Sequence, residues 1–167
     1  DVQGATGLDL ETGEIVTVPA RRAEMEAQTR TTDVVLAEDG SAMVTDSYTL
    51  TGRQAFEARF IAEMSTGEMQ KWAAAAVGSE LPGVELTAFE HSSFEPPDEM
   101  ESMTFTYRVP TLAQMAGDYL IMRLPNARFS PVNVGRSERR WNLFWLGPEE
   151  ERSSFEIVPP DGYEPYA

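Results

Sequence analysis

The chain has 167 residues, which is enough for one ordinary domain with a hydrophobic core and short for two. Its 13 basic and 28 acidic residues give a formal charge of -15 at pH 7, and so acidic a surface repels nucleic-acid phosphates and anionic lipid. The absence of cysteine excludes disulfides, thiolate metal sites and a thiol nucleophile within this sequence. No apolar run approaches the length of a membrane span. We therefore expect neither nucleic-acid binding nor membrane insertion.

The first segment, residues 1–30, combines a short hairpin with a polar connector. In "GLDLETGEIVTVP" aliphatic residues flank a turn at 11–14, and the polar run "ARRAEMEAQTR" follows. This pattern predicts the exit segment of an upstream domain plus a connector, followed by a β-rich domain over 31–167. In that domain Asp39-Gly40 joins two β-rich runs, and glycine tolerates the positive φ of a tight turn. The runs predict a hairpin with strands near 30–37 and 41–51.

Residues 52–80 interrupt the strand pattern and predict two helices. Thr51 stands three residues before Gln54, and Ser65 three before Glu68, which is the spacing of a capping box. The apolar residues of the second helix share one face: Met69, Trp72, Ala73, Ala76 and Val77. Those of the first helix align at four-residue spacing: Phe56, Phe60 and Met64. We expect the pair to cover one face of a sheet, since apolar helical stripes usually face a core, and a ligand groove is the alternative.

Strands resume after residue 83, and their patterns differ. The run 102–109 alternates apolar and polar residues, as a half-buried strand does, whereas 119–124 is continuously apolar and is predicted to be more central. Further strands are predicted at 84–89, 141–146 and 153–160. Together these elements predict a mainly β (α+β) fold, an antiparallel β-sandwich-like sheet with an inserted α-helical segment at about 52–80.

Few residues have the types or spacings that catalysis needs. His91 is the only histidine, so it cannot form a multi-histidine metal site, and no nucleophile motif surrounds a serine near it. Four carboxylates in one predicted loop could be considered for calcium: Glu95, Asp98, Glu99 and Glu101. Their spacing matches no EF-hand, so we favour a solvated acidic loop. We predict no catalytic residue, no metal site and no cofactor.

One cluster combines cations with aromatic rings and is the candidate binding site. It contains Arg139, Arg140, Trp141 and Trp145. Guanidinium groups and indole rings can stack on sugars or on single-stranded bases, and the negative charge of the chain argues against the bases. The structural alternative is that the arginines pair with acidic residues at 149–151 and that the tryptophans are buried.

Several segments, taken in order, resemble one family: "GLDLETGEIVTVP", "LAEDGSAMVTDSYTLTGRQAFEARF", "STGEMQKWAAAAVGSELPGVEL", "FTYRVPTLAQMAGDYLIMRLP" and "FEIVPPDGYEP". Their order resembles the β-rich domain of unknown function that follows the catalytic domain in bacterial transglutaminase-like proteins. The shared features are a D-G hairpin, the positions Gly52, Ala55 and Arg59, a P-G-V turn and a late P-x-G-Y. All of them mark structure rather than chemistry.

The resemblance implies a non-catalytic accessory domain that packs on, or positions, the neighbouring enzyme domain of the same polypeptide. The Cys-His-Asp centre of the family would lie upstream of Asp1. The resemblance also implies export in bacteria, hence a periplasmic or extracellular location. Two other functions stay open: an extracellular glycan- or peptide-binding β-sandwich module that uses Trp141 and Trp145, and a hydrolase with paired Glu and Asp as acid and base.

Overall fold

A computed structural model describes residues 4–20, 22–79, 81, 83–93, 100–124 and 149–166. Its strands are β1 Thr6–Leu8, β2 Ile15–Thr17, β3 Ala27–Leu36, β4 Ala42–Leu50, β5 Glu85–His91, β6 Glu101–Val109, β7 Ala113–Ala116, β8 Tyr119–Met122 and β9 Glu150–Val158. The helices are α1 Gly52–Ala58 and α2 Thr66–Gly78, with 3-10 turns at Ala23–Glu26 and Arg59–Glu63. The predicted mainly β fold with an inserted helical segment is confirmed.

The centre of the fold is a five-stranded sheet in the order β5-β6-β4-β3-β9. β3 and β4 form the predicted hairpin, with Leu36 opposite Ala42, and β6 and β5 continue the sheet in antiparallel fashion. β9 runs parallel to β3, with Ile157 beside Val34, so the sheet is mixed and not wholly antiparallel. A parallel pair needs a long crossover connection, and the residue pattern of a strand does not encode its direction.

The start of the helical segment shows one correct and one wrong capping prediction. The Ser65 hydroxyl accepts from the Glu68 amide at 3.4 Å, and the Glu68 carboxylate accepts from the Ser65 amide at 3.0 Å, so the capping box of α2 is confirmed. The box predicted at Thr51 is wrong, because its side chain makes no cap hydrogen bond. The Thr51 hydroxyl instead accepts from the Ala27 amide at 2.8 Å and ties the end of β4 to the start of β3.

The helix α2 packs on β5 and β6, as expected for a cover over one sheet face. The Trp72 ring lies 5.7 Å from Phe89 and 6.0 Å from Phe105, between ring centroids, and Ala73 is fully buried. The predicted apolar face is confirmed except for Ala76, which is exposed. These contacts place the main hydrophobic core between α2 and the sheet.

The predicted apolar face of the first helix is wrong. Phe56 is 69% exposed and Phe60 is 45% exposed, although the Phe60 ring contacts Trp72. The buried residues of this stretch are Ala55, Ala58 and Ile61. α1 ends after seven residues and continues as a 3-10 turn, whose shorter period brings different side chains to the core.

The prediction of a central strand at 119–124 is also wrong. β8 pairs only with β7 among the described strands, in a separate two-stranded sheet. Leu120 and Met122 pack against the core, whereas Tyr119 and Ile121 are more than half exposed. The predicted strands at 84–89, 102–109 and 153–160 correspond to β5, β6 and β9, and the one at 141–146 lies outside the described residues.

The N-terminal hairpin predicted from the sequence is confirmed as β1 and β2. Its turn is set locally, because the Asp9 carboxylate accepts from two backbone amides and Gly13 has a φ of +73°. Three of its aliphatic residues are largely exposed: Leu8, Leu10 and Ile15. That residues 1–30 are the exit of an upstream domain stays a prediction.

The tight turn at Gly40 holds the small sheet against the large one. The Gly40 carbonyl accepts from the Leu112 amide at 2.9 Å and from the Ala113 amide at 3.0 Å. Gly40 has a φ of +81°, and a Cβ atom at this position would lie 2.3 Å from the Ala113 carbonyl oxygen. The β7–β8 hairpin can therefore approach the main sheet only because residue 40 is glycine.

We predict that Gly40→Ala lowers the free energy of unfolding by more than about 2 kcal/mol, because it adds a clash to the cost of a left-handed residue. Gly117→Ala is the matched control, since Gly117 has a φ of +66° and nothing within 4 Å of its Cβ position. The Gly117→Ala variant should lower the free energy of unfolding by about 1 kcal/mol. Urea denaturation of both variants measures the difference, and equal losses would contradict the close approach.

Candidate functional site

The densest polar cluster of the described chain is centred on the buried carboxylate of Asp46 in β4. Arg30 donates to it from Nε at 3.0 Å and from Nη2 at 2.7 Å. The hydroxyls of Thr32 and Tyr107 donate to it at 2.5 Å and 2.7 Å. The Arg30 guanidinium also lies 5.2 Å from the ring centroid of Tyr48. All four hydrogen-bonded residues are buried, so the cluster is a closed network and not a site open to a substrate.

Burial and hydrogen bonding fix the protonation of this cluster. Burial lowers the pKa of Arg30, but the hydrogen bonds to Asp46 and the Coulombic interactions with Tyr48, Asp46 and Tyr107 together outweigh it, and the net pKa lies above the ordinary arginine value. Burial raises the pKa of the Tyr107 hydroxyl, and its hydrogen bond to Asp46 raises that pKa further. Among the described residues, no buried side-chain nitrogen or oxygen lacks a partner. The network therefore acts in stability and register.

A second polar cluster surrounds Glu101, one of the four carboxylates considered for calcium. Glu101 is buried, and its carboxylate accepts from the Ser92 hydroxyl at 2.6 Å and from Nε of Arg59 at 3.3 Å. These contacts occupy the oxygens that a cation would need. Glu95, Asp98 and Glu99 lie outside the described residues, and the described part of the chain contains no group of acidic or histidine side chains arranged for a metal.

His91 lies beside Ser92, but the two side chains do not form a nucleophile and its base. The Ser92 hydroxyl donates to Glu101, whereas Nδ1 of His91 lies 2.5 Å from the Ser92 carbonyl oxygen. The imidazole ring stacks on Phe89 at 5.7 Å between centroids. A general base must face the hydroxyl it activates, so this arrangement does not supply serine catalysis.

The predicted binding residues cannot be placed in this geometry. Arg139, Arg140, Trp141 and Trp145 all lie outside the described residues. Their role in binding stays a prediction.

A groove of about 1190 Å³, here called the tyrosine groove, lies where β8 and the segment after β9 face each other. Its floor contains Leu36 from the end of β3 and Ile157 from β9. One wall is the β7–β8 hairpin, with Met115, Gly117, Asp118, Tyr119, Leu120 and Met122. The other wall follows β9, with Pro159, Pro160, Gly162, Tyr163, Glu164, Pro165 and Tyr166.

Tyrosine side chains connect the two walls at two points. The Tyr119 and Tyr166 rings meet edge to face with centroids 5.6 Å apart, and the Tyr163 hydroxyl lies 4.0 Å from the Met115 sulfur. Ile157 is 40% exposed although its partner in β3, Val34, is fully buried. The groove thus leaves core-type side chains accessible to solvent.

Charge in the tyrosine groove has one sign. Among the described residues that line it, the charged ones are Asp118 and Glu164, and both are acidic. The other lining residues are aliphatic, aromatic, proline or glycine. A ligand with apolar side chains and positive charge is complementary to this combination.

Sequence reasoning missed this groove because its parts come from three distant segments. The relevant signal was the apolar run at 119–124 next to a Gly-Asp turn, together with "PPDGY" after the last strand. A continuous apolar run predicts burial on both sides, but here Leu120 and Met122 pack on the core and also line the groove, whereas Ile121 is 61% exposed.

No family model, curated protein or solved structure matches this chain. No helix within the described ranges has the length and apolar character needed to cross a membrane.

We predict that Asp46→Asn lowers the free energy of unfolding by roughly 3–5 kcal/mol, because it leaves the buried Arg30 charge uncompensated. Asp33→Asn is the matched control: Asp33 is on the neighbouring strand, is exposed and should change stability by less than about 0.5 kcal/mol. Urea denaturation measures both. A loss at Asp46 no larger than at Asp33 would show that the network does not stabilise the fold.

Tyr107 should make the protein sensitive to alkali. Its folded-state pKa is raised, so the hydroxyl keeps its proton in the folded chain while the unfolded chain loses it above about pH 10. The contribution of Tyr107 to the free energy of unfolding is therefore fully present below that pH and falls above it by up to about 1.4 kcal/mol per pH unit. Tyr107→Phe should remove this part of the slope, and Tyr119→Phe, on an exposed residue, should keep it. Unfolding measured from pH 8 to 11 checks the difference.

Proposed function

We propose that this chain is a non-catalytic interaction domain whose tyrosine groove receives an apolar, positively charged segment of a neighbouring domain in the same polypeptide. The observation that carries this proposal is the groove itself, which brings exposed tyrosines, methionines and aliphatic side chains together at one place. Tyrosine and methionine are enriched at protein interfaces.

The size of the groove favours a segment of polypeptide over a small metabolite. Pockets for small molecules usually enclose about 300–1,000 Å³ and bury most of the ligand. The tyrosine groove has about 1190 Å³, above that range, and is lined by residues from three distant segments of the chain. The ionisable groups of the two polar clusters, Asp46 and Glu101, are not among its lining residues, and its described charged residues are Asp118 and Glu164.

Electrostatics select the sign of the partner. The chain carries a formal charge of -15, and the charged side chains in the groove, Asp118 and Glu164, add to that field locally. A basic segment is steered towards such a surface, whereas an acidic one is repelled.

The enzymatic setting is part of the proposal and depends on the resemblance to transglutaminase-like proteins. In that setting the neighbouring domain is the enzyme, and the exported location follows from the same resemblance. The coding sequence upstream of residue 1 tests this part: a Cys, a His and an Asp in transglutaminase-like order would support it, and their absence there would contradict it.

We predict that a peptide of alternating lysine and valine, about seven residues or ~23 Å when extended, binds the 167-residue chain saturably. NMR titration should shift the amide signals of residues 115–122 and 157–166. A lysine–serine peptide should not bind, because it lacks apolar side chains, and a glutamate–valine peptide should not bind, because it is repelled.

Variants of the protein locate the binding surface. Replacing both Tyr119 and Tyr166 by serine should lower the affinity for the lysine–valine peptide by at least about tenfold, since buried aromatic anchors dominate interface energies. Phe56→Ser is the matched control, because Phe56 is an exposed aromatic residue on α1 and does not line the groove. Absence of peptide binding, or equal weakening by both changes, would refute the proposed function.

A further inference from the structure

We infer that the partner segment binds the tyrosine groove as an extended strand that pairs with the outer edge of β8. This inference rests on the proposed function and specifies the conformation and the residue pattern of the occupant. Three features of the molecule support it: the position of β8 beside the groove, the composition of its edge, and the prolines of the opposite wall.

The groove borders both faces of the β7–β8 hairpin near its turn. Met115 lies opposite Leu120, and Met122 follows two residues later, so these three side chains share one face of the hairpin, and all three line the groove. Tyr119 belongs to the other face and also lines the groove, as do Gly117 and Asp118 in the preceding turn. The groove therefore extends from one face of the hairpin around its margin at Tyr119.

The outer edge of β8 is available for pairing within the described part of the chain. β8 forms hydrogen bonds with β7 only, in the register that places Leu120 opposite Met115. A strand with one partner presents unpaired amide and carbonyl groups on its other side, which form a template for an added strand.

Edge strands of soluble proteins usually carry charge, proline or a bulge that blocks such addition. The two edges of the main sheet follow this rule: β9 contains Glu150, Glu151, Arg152 and Glu156, and β5 contains Glu85, Glu90 and a register shift between Leu86 and Ala88. β8 has the sequence Tyr-Leu-Ile-Met, with no charge and no proline. The β1–β2 hairpin is also uncharged within its strands, but it lines no part of the groove.

The opposite wall cannot supply the same pairing. It contains Pro159, Pro160 and Pro165, and proline has no backbone amide to donate. An extended segment in the groove therefore pairs with β8 on one side and packs against prolines and tyrosines on the other.

The two faces of the added strand contact different surroundings, the aliphatic floor of the groove on one side and solvent on the other. Alternate side chains point towards the floor at Leu36 and Ile157, and the intervening ones point away from it, towards the solvent side. Asp118 and Glu164 are both exposed at the margins of the groove. The occupant is therefore a segment with aliphatic residues at every second position and lysine or arginine between them.

Backbone methylation of the lysine–valine peptide tests the pairing without altering the protein. The amides of alternate residues in a strand point to opposite edges. One peptide is methylated on its valine nitrogens and a matched peptide on its lysine nitrogens, so each blocks one edge and keeps every side chain. One of the two should lose at least about tenfold in affinity, since it loses two or more hydrogen bonds, while the other keeps the parent affinity within about threefold.

The outcomes separate this inference from the proposed function. If the parent peptide binds and both methylated peptides bind equally well or equally poorly, the pairing with β8 is refuted and the groove remains a binding site. If the parent peptide does not bind, the proposed function itself fails. Amide hydrogen exchange adds a second readout, because pairing should slow exchange within residues 119–122, whereas packing of side chains alone should leave it unchanged.

Discussion

The carboxylate of Asp46 fixes the arrangement on which the rest of the fold depends. It accepts hydrogen bonds from Arg30 and Thr32 in β3 and from Tyr107 in β6, and so it links the three central strands through one buried group. A slip of one residue would turn Asp46 to the opposite face of the sheet and leave its partners unpaired. Because a buried charge tolerates no such loss, the network selects one register for the three central strands.

Much of the fold could be predicted because local chemistry determines it. Ser65 and Glu68 cap α2 through their own side chains, and the alternation from Met103 to Val109 reflects a strand with one covered face. The direction of β9 could not be predicted, because it depends on a crossover and not on the residues of the strand. The buried face of the first helix was mispredicted because the small residues Ala55 and Ala58 of α1 face the core in place of Phe56, and because the helix changes to a 3-10 turn at Arg59, which buries Ile61.

The candidate site was harder to predict than the fold, for a different physical reason. The sequence drew attention to Trp141 and Trp145, where aromatic and cationic residues are neighbours in the chain. The tyrosine groove instead joins Leu36, the β7–β8 hairpin and the segment after β9, which are distant in sequence. The contact that makes this possible is the carbonyl of Gly40 with the backbone of β7, and a backbone hydrogen bond between remote segments leaves no residue pattern.

Charge explains how an uncharged strand edge can persist without pairing with a second copy of the chain. Two copies of the domain would bring together surfaces that each carry a formal charge of -15, so pairing of one β8 edge with another is opposed over long range. The same field attracts a basic segment and favours its alignment beside Asp118 and Glu164. In this proposal, the negative charge disfavours pairing of the β8 edge with a second copy of the chain and favours binding of a basic segment. In the interior, by contrast, the buried charges are paired within the chain. Binding in this proposal therefore depends on the exposed apolar wall of the groove.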